Sequence, residues 1–217
     1  MSLLALLQLC DSALPIGGYS HSWGLETWIQ KQTFKTAQEA EETIKILLTA
    51  SMAPQDGVAC ALAHRYSLAR SSEDFQQLNQ YLTASRWTVE PTQASIALGQ
   101  RLKKLSVNLG WSARFPEGEH HHPAVFGWLS HDLGISAHDA VAGYLFSSAN
   151  SLVSACVRLI PLGHTDGQKI LRALQETIQQ QTVHCLKAEL EDLGGFAPLQ
   201  EWACEEHRTL YSRLFQS

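Results

Sequence analysis

The 217-residue chain has no excess of basic residues and no cluster of them. It carries 16 Lys and Arg against 21 Asp and Glu, which gives a formal net charge of −5. A protein that binds nucleic acid normally presents a basic stripe or patch to the phosphates. The composition therefore predicts that nucleic acid is not a partner.

Cysteine is scarce and scattered along the chain. The five cysteines are odd in number and form no C-x-x-C pair: Cys10, Cys60, Cys156, Cys185 and Cys204. This spacing is typical of reduced thiols and not of a disulfide framework, so it predicts a cytoplasmic protein. The amino-terminal residues also lack the basic start and small-residue cleavage site of a signal peptide.

Long apolar runs are nearly absent. The one uncharged stretch long enough to span a bilayer, Ala140 to Val157, contains four serines and an asparagine. Such a stretch is too polar for a convincing membrane helix. We therefore expect a helix buried in protein and no membrane partner.

Strand alternation and a nucleotide-binding loop are also missing. No G-x-x-x-x-G-K-[ST] segment occurs, so the chain has no evident means of binding a nucleoside triphosphate itself. Helix start and stop signals recur instead, including a capping box at Thr36–Glu39 and a cap at Ser136–Asp139. They predict an all-α fold, a single domain over residues 1–217 with about ten helices.

Several helix boundaries follow from the same signals. We expect a helix from about Tyr19 to Gln30, and one from Thr36 that Pro54 closes. Another runs from Asp166 to Leu193. The last begins at Pro198 and continues through Phe215, and the clearest loop is Trp111 to Pro123.

The stretch from Asp11 to Glu26 is the densest in unusual residues. Pro15 interrupts any helix, and Gly17 with Gly18 permits a sharp turn. Gly18-Tyr-Ser-His-Ser22 approaches a nucleophile elbow, but its last position is serine and no strand precedes it. An active site, a docking surface and a tightly packed corner remain open as interpretations.

The second dense stretch is Arg158 to Gln168. Pro161 stops one helix, Gly163 turns the chain, and Thr165 or Asp166 caps the next helix. This joint does not account for Arg158 or Gln168. An arginine beside a turn suits a partner's carboxylate or phosphate.

The histidines suggest a metal only weakly. His120 to His122 lie in the predicted loop, where adjacent imidazoles cannot all face one ion. Cys204 and His207, three residues apart on a helix, would make half a site, and no further ligand has suitable spacing. We predict no tightly bound cofactor, with at most a loose surface affinity for a divalent metal.

The uncharged helix carries a stripe of small residues at four-residue spacing, formed by Gly143, Ser147, Ser151 and Ala155. Such a stripe lets a second helix approach closely. It fits either a central core helix or a subunit interface.

Four segments, in order and across nearly the whole chain, resemble the UreF family of urease accessory proteins. They are Gln8 to Glu26, His122 to Ile135, Arg158 to Gln168 and His207 to Phe215. The family usually has glutamine where this chain has His164.

The resemblance implies an all-α homodimer that is not an enzyme and that serves the maturation of the nickel enzyme urease. It implies a complex with UreD (also called UreH) that recruits the GTPase UreG for GTP-dependent nickel insertion into apo-urease. Nickel would be handled by the complex, and the chain could modulate the GTPase activity of UreG, with Arg158 conceivable as an arginine finger.

The same resemblance implies which residues contact partners. The segments that carry it contain the expected partner-binding residues: Gly18, Tyr19, His21, Ser22, Gly24, Glu26, Arg158, Pro161, Gly163, Asp166, Gln168, Tyr211, Arg213, Leu214 and Phe215. Within this set, the tail from Tyr211 to Phe215 would lie near UreD.

The alternative function is a small all-helical enzyme of the thiaminase or haem-oxygenase type. Such an enzyme would need a pocket that joins His21, Glu26 and a cysteine. Metal storage, a third hypothesis, would require tight binding of nickel without partners.

Overall fold

The computed structural model describes residues 2–111 and 114–216, and in this part of the chain all regular secondary structure is helical. The prediction of an all-α fold is thus confirmed. Ser112 and Ala113, part of the predicted loop from Trp111 to Pro123, lie outside the described residues. The helices are α1 (Ser2–Leu9), α2 (Leu25–Gln30), α3 (Ala37–Leu47), α4 (Val58–Ala69), α5 (Ser72–Ala84), α6 (Val89–Asn108), α7 (His122–Asp132), α8 (Ala137–Leu159), α9 (His164–Lys187) and α10 (Pro198–His207).

Helices α4, α7 and α8 form the centre of the molecule, and α9 packs along α8. Their apolar residues belong to one cluster of buried side chains, which includes Leu62, Phe126, Leu145 and Leu152. Full burial of a side chain of this size contributes roughly 1.5–3 kcal/mol of transfer free energy. One shared core therefore holds the helices together.

Both predicted caps are present. Thr36 accepts a hydrogen bond from the Glu39 amide, and the Glu39 side chain accepts one from the Thr36 amide. Ser136 likewise accepts from the Asp139 amide at the start of α8. The sequence signals locate these two helix starts correctly because each depends only on neighbouring residues.

Pro54 does not end a helix, contrary to the prediction. Residues Leu48–Gly57 form a π-helical segment that links α3 to α4 with Pro54 inside it. The wide turn leaves carbonyl groups free, and other segments satisfy them: Ala50 accepts from the Phe196 amide and Pro54 from the Gly194 amide. Proline removes the N–H of residue 54, whose α-helical acceptor would be the Ala50 carbonyl, so the bond from Phe196 replaces the one that is lost, and the bond from Gly194 adds a second tertiary contact.

Three other boundaries differ from the prediction. The first segment is a short 3₁₀ turn at Gly18–Ser20, and α2 begins only at Leu25. Helix α9 ends at Lys187, and a 3₁₀ turn follows at Leu190–Asp192. Helix α10 ends at His207, so the tail beyond it is irregular.

Helix α8 contains the small-residue stripe, and the close approach that the stripe predicts is confirmed at Gly143. A Cβ atom there would lie 2.7 Å from Leu6 Cδ1 of α1. By length and composition, Ala37–Ala69 and Ala137–Leu159 could each cross a membrane. In the structure both segments pack in the core, as long apolar helices in the interior of a folded protein do.

His120 and His121 lie inside the protein and His122 is half-buried, whereas the loop prediction had implied that all three lie on the surface. His120 and His121 are buried between α5, α6 and α7. The His121 amide donates to Asn79 Oδ1 at 2.8 Å, and His121 Nε2 lies 3.0 Å from Thr83 Oγ1. His120 Nδ1 lies 3.0 Å from Lys103 Nζ. We call this region, His120–His122 with its neighbours, the histidine loop.

Burial keeps these imidazoles neutral. It lowers the pKa of His120 to about 4, of His121 to about 3 and of His122 to about 4. The positive charges of Lys103 and Arg86 lower the pKa values of His120 and His121 further. Because His120 and His121 do not reach the surface, they could not contribute to the predicted loose surface affinity for a divalent metal, which stays a prediction.

Candidate partner-binding site at the carboxyl-terminal tail

The first dense stretch folds as a series of turns that lead into α2. Trp23 and Gly24 both have positive φ, 52° and 88°, and together they turn the chain immediately before the helix. Gly24 also lies against α10, where a Cβ atom would be 3.2 Å from the Gln200 carbonyl oxygen. Glycine is thus required twice here, for the left-handed conformation and for the close approach. This turn fixes where Glu26 enters the protein.

Glu26 is completely buried, with an exposed fraction of 0 %. His207 Nε2 lies 2.7 Å from its Oε2, and both side chains are inaccessible to solvent. The Leu214 amide donates to Oε1 at 2.7 Å, and the Phe215 amide donates to Oε2 at 3.2 Å. A buried carboxylate is stable only when such donors surround it. Glu26 is therefore the anchor of the chain's own carboxyl-terminal tail.

Further hydrogen bonds hold the main chain of the tail against the stretch from Asp11 to Glu26 and against α2. The Gln216 amide donates to the Ser20 carbonyl at 2.7 Å. Gln30 Nε2 donates to the Ser212 carbonyl at 3.0 Å. Phe215 points inward and is buried, whereas Tyr211 and Leu214 point outward and are exposed. The tail consequently presents two large apolar side chains to the surroundings.

Arg158 joins the second dense stretch to this region. Its guanidinium donates to the Tyr19 carbonyl at 3.1 Å and to the Ser154 carbonyl at 3.1 Å. It also lies over the Phe215 ring, 4.7 Å from the centroid, a cation–π distance. We call the region around Ser20, Glu26, Arg158, His207 and Phe215 the tail junction. It unites three segments that are remote in sequence.

His21 lies beside the tail junction, and its surroundings keep the imidazole neutral. Burial lowers its pKa to about 4, and the charges of Arg101 and His207 lower it further. Its ring lies 5.6 Å from that of Trp23. Arg101 also donates to the Ile16 carbonyl at 3.1 Å, so it supports the turn from the other side.

Several of the remaining predicted site residues lie on the adjacent surface. An open groove of about 510 Å³ is lined by Tyr19, Arg158, His164, Gln168 and neighbouring residues of α8 and α9. Tyr19 is exposed, whereas Ser22, like His21, is buried. Gly18 has no neighbouring atom where a Cβ would stand.

The joint between α8 and α9 forms as predicted, except for its cap. Pro161 and Gly163 are exposed. Gly163 is the N-cap residue of α9, and no side chain caps that helix end. Asp166 instead forms an ion pair with Lys169 at 2.9 Å in the first turn of α9, where the helix dipole favours a carboxylate.

Sequence reasoning missed the main role of His207. The sequence offered it only as half of a metal site with Cys204 that lacked further ligands, whereas its Nε2 faces Glu26. Within residues 2–111 and 114–216, no group of three or more His, Cys, Asp or Glu side chains could hold a metal ion. The segment His207 to Phe215 was one of the four that carry the family resemblance, but a contact across 181 residues of sequence leaves no local pattern.

The structure also changes how the predicted partner residues can act. Tyr19, Arg158, Gln168, Tyr211, Arg213 and Leu214 are exposed. His21, Ser22, Glu26 and Phe215 are buried within one chain. Partner contact for the first set stays a prediction. The second set would act by holding the exposed residues in place.

The fold and the junction together define an all-helical class of protein in which the carboxyl-terminal tail is held against α2 by a buried carboxylate, Glu26. A family model described as UreF matches residues 34–175. Among relatives described as "Urease accessory protein UreF", the protein of Bacillus sp. (strain TB-90) is 33% identical over 224 residues, which cover 99% of both chains. The relative from Geobacillus kaustophilus is 34% identical over 220 residues, 99% of this chain and 98% of its own. The chain belongs to the UreF family.

Proposed function

We propose that this chain is a non-enzymatic accessory protein in the maturation of urease. It forms a complex with UreD (UreH), and that complex recruits the GTPase UreG for GTP-dependent insertion of nickel into apo-urease. Nickel is the cargo of the complex and not a resident cofactor of this chain. The chain acts as a cytoplasmic homodimer.

The observation that carries this proposal is similarity to proteins named urease accessory proteins along the full length of the chain. The family model covers residues 34–175, whereas the relatives match about 99% of the chain and so include both ends. The matched length therefore includes the Asp11–Glu26 stretch, Arg158 and the tail, which together build the tail junction. The formal charge of −5 and the five free cysteines are consistent with the cytoplasm.

The geometry of the tail supports contact with UreD. Tyr211 and Leu214 are among the most exposed large apolar side chains of the described residues. Glu26 and Phe215 fix the main chain beneath them, so less conformational entropy is lost when a partner binds. Glu26 therefore contributes to the complex by pre-organising the tail.

The groove beside the junction is the site proposed for UreG. Tyr19 and Gln168 are exposed there, and Arg158 lines the same groove. The Arg158 guanidinium already donates to two carbonyls of its own chain. These bonds favour a role in positioning the groove over a role as an arginine finger, although this chain could still modulate the GTPase activity of UreG.

The enzyme alternative finds less support in the contacts of Glu26. An acid–base catalyst must reach a proton on its substrate. The oxygens of Glu26 accept from His207 and from two tail amides, and the side chain has no exposed surface. Burial also raises the pKa of the Cys10 thiol to about 12, which disfavours a nucleophilic thiolate.

Reconstitution of apo-urease activation tests the proposal directly. Purified apo-urease, UreD, UreG, GTP, bicarbonate and nickel are combined with or without this chain, and urea hydrolysis is measured. We expect activation to depend on the chain. Equal activation without it would refute the proposed function.

Deletion of Leu210 to Ser217 tests the assignment of the tail. We expect the shortened chain to lose retention of co-expressed UreD, because Tyr211 and Leu214 are removed together with their anchored main chain. The matched control, Tyr81→Ala, removes a partly exposed aromatic side chain from α5. If the shortened chain retained as much UreD as the full chain, the tail assignment would be wrong.

A further inference from the structure

The turn from Ile16 to Ser20 accepts a hydrogen bond at each of its main-chain carbonyls. Two of these bonds are local. The Gly17 carbonyl accepts from the Ser20 amide at 3.1 Å and from the Ser20 hydroxyl at 2.7 Å. The Gly18 carbonyl accepts from the His21 amide at 3.4 Å. We call these five residues the Tyr19 turn.

Three remote parts of the chain supply the other donors. Arg101 of α6 donates from Nη1 to the Ile16 carbonyl at 3.1 Å. Arg158 of α8 donates from Nη2 to the Tyr19 carbonyl at 3.1 Å, and an amide of the tail holds the last carbonyl of the turn. Two arginines from different helices therefore fix the main chain before and after the two glycines.

The approach of Arg101 to the turn depends on Gly17. A Cβ atom at Gly17 would lie 2.6 Å from Arg101 Nη1. The residue also has a φ of 85°, in the left-handed region that favours glycine. The guanidinium can thus lie directly against the main chain of the Tyr19 turn.

Arg101 differs from a core residue because it is exposed. A single hydrogen bond from an exposed side chain adds little to the stability of a whole domain. The bond instead restrains the main chain three residues before Tyr19, whose side chain is 56 % exposed. Restraint of a contact residue before binding reduces the entropy that binding must remove.

The groove proposed for UreG is lined by Tyr19 and Arg158, and Arg101 is not among its lining residues. Arg101 therefore reaches the groove only through the turn that it holds. His21, the residue that follows the turn, is sensitive to the same arginine. Burial lowers the pKa of His21 most, and the charge of Arg101 lowers it further.

We infer that Arg101 is a positioning residue for UreG binding, which acts with Arg158 by fixing the turn from which Tyr19 meets the partner. The inference rests on the proposed function, since that function places UreG at the groove. It assigns a role to a residue outside the groove and outside the tail junction.

Measurements on the isolated full-length chain test whether Arg101 holds the turn. Arg101→Ala is compared with wild type and with Lys104→Ala, a control at another exposed basic residue of α6. Hydrogen–deuterium exchange follows residues 16–21, and an NMR titration follows the His21 ring.

We expect Arg101→Ala to increase the exchange rate at the Ser20 and His21 amides at least about fivefold, because the turn opens more often. The pKa of His21 should rise from its value of about 4, since a neighbouring positive charge is removed. The melting temperature should stay within about 3 °C of wild type. Lys104→Ala should match wild type in all three measurements.

Titration of the complex of this chain and UreD with UreG tests the functional part. We expect Arg101→Ala to weaken UreG binding about three- to tenfold, because the turn must then be ordered on binding. Arg101→Lys should restore most of the affinity, since one N–H donor is enough for the Ile16 carbonyl.

A double-mutant cycle separates positioning from direct contact. In a chain that already carries Tyr19→Ala, the further change Arg101→Ala should weaken UreG binding by less than about twofold, because the residue that Arg101 positions is gone. An undiminished loss in that background would mean that Arg101 contacts UreG itself, and the positioning role would be wrong.

Other results would also overturn the inference. Exchange of the turn at the wild-type rate in Arg101→Ala would show that Arg101 does not hold it, whatever the affinity for UreG. Faster exchange with unchanged affinity would show that the restraint does not serve binding. If the wild-type complex bound no UreG, the proposed function would be refuted and the role in UreG binding would fall with it, whereas the exchange rates would still decide whether Arg101 holds the turn.

Discussion

The tail junction and the histidine loop both bury ionisable side chains, but they do so in opposite ways. At the junction, Glu26 is surrounded by donors from His207 and from two tail amides. In the histidine loop, burial lowers the pKa of His121 to about 3, so that its imidazole is neutral. The tail junction satisfies the Glu26 carboxylate with hydrogen bonds from a distant segment. The histidine loop instead keeps its buried imidazoles uncharged.

The difference shows where this fold can change without unfolding. The histidine loop is enclosed by α5, α6 and α7, and its opening would expose Phe75 and Trp128, whose rings lie 4.7 Å apart. The tail lies at the end of the chain and is held mostly through one carboxylate. We therefore expect the junction to open locally and the loop to open only with the core.

Removal of the anchor should produce the largest effect on this comparison. We expect Glu26→Ala to lower the free energy of unfolding by about 3–5 kcal/mol, because His207 and the tail amides lose their buried partner. Urea denaturation measures the loss. Limited proteolysis should show the tail cleaved first. The control is Glu205→Ala on the exposed face of α10, and an unchanged midpoint for Glu26→Ala would contradict the anchoring role.

A glycine beneath the histidine loop should give the next largest effect. Gly99 lies so close to the His120 carbonyl oxygen that a Cβ atom would overlap it. We expect Gly99→Ala to lower the free energy of unfolding by about 1–3 kcal/mol, the usual cost of overpacking. Gly18→Ala is the matched control, since no atom lies within 4 Å of its position for Cβ. Tail proteolysis should stay at the wild-type level in the Gly99 variant, and early tail release would link the two regions.

Acidification should have a smaller effect and act on both regions, because His21 beside the tail junction and the histidines of the loop all have lowered pKa values. A histidine whose pKa is lowered in the folded protein binds a proton more readily when the chain is unfolded. Its contribution to the free energy of unfolding is therefore fully present above pH 6.5 and is lost as the pH falls towards 4. The pKa of His21, His120 and His122 is lowered to about 4. We expect each to contribute roughly 1 kcal/mol per pH unit in this window. Urea midpoints at pH 7, 6 and 5 measure the slope, which His121→Gln should reduce.

Tyr19→Ala should have the smallest effect on stability. The side chain is exposed, and Arg158 contacts only its carbonyl oxygen. We expect a change within about 0.5 kcal/mol, as for most surface substitutions. Activation of apo-urease should nevertheless fall if the groove binds a partner. If the variant activated apo-urease normally, Tyr19 would not belong to the site. If the variant were strongly destabilised, the stretch from Asp11 to Glu26 would instead be a tightly packed corner of the fold.

The local features of the fold could be predicted from the sequence. The capping box at Thr36 and the cap at Ser136 each depend on residues three apart, and both are present. The close approach at Gly143 follows from the small side chains along α8. Pro54 was misjudged because the prediction considered only the bond that proline removes, and not the contacts from Gly194 and Phe196 that compensate for it.

The sequence predicted which segments form the candidate site, but not which residues of these segments contact one another. The sequence by itself determined that helices form, where several begin, and that the chain resembles the UreF family. Only the tertiary structure decided that Glu26 holds the tail, that Arg158 lies over Phe215, and that His120 and His121 are buried. Helix caps arise from neighbours along the chain. A buried carboxylate instead requires donors, and these come from residues about 180 positions away, brought together only when the core packs.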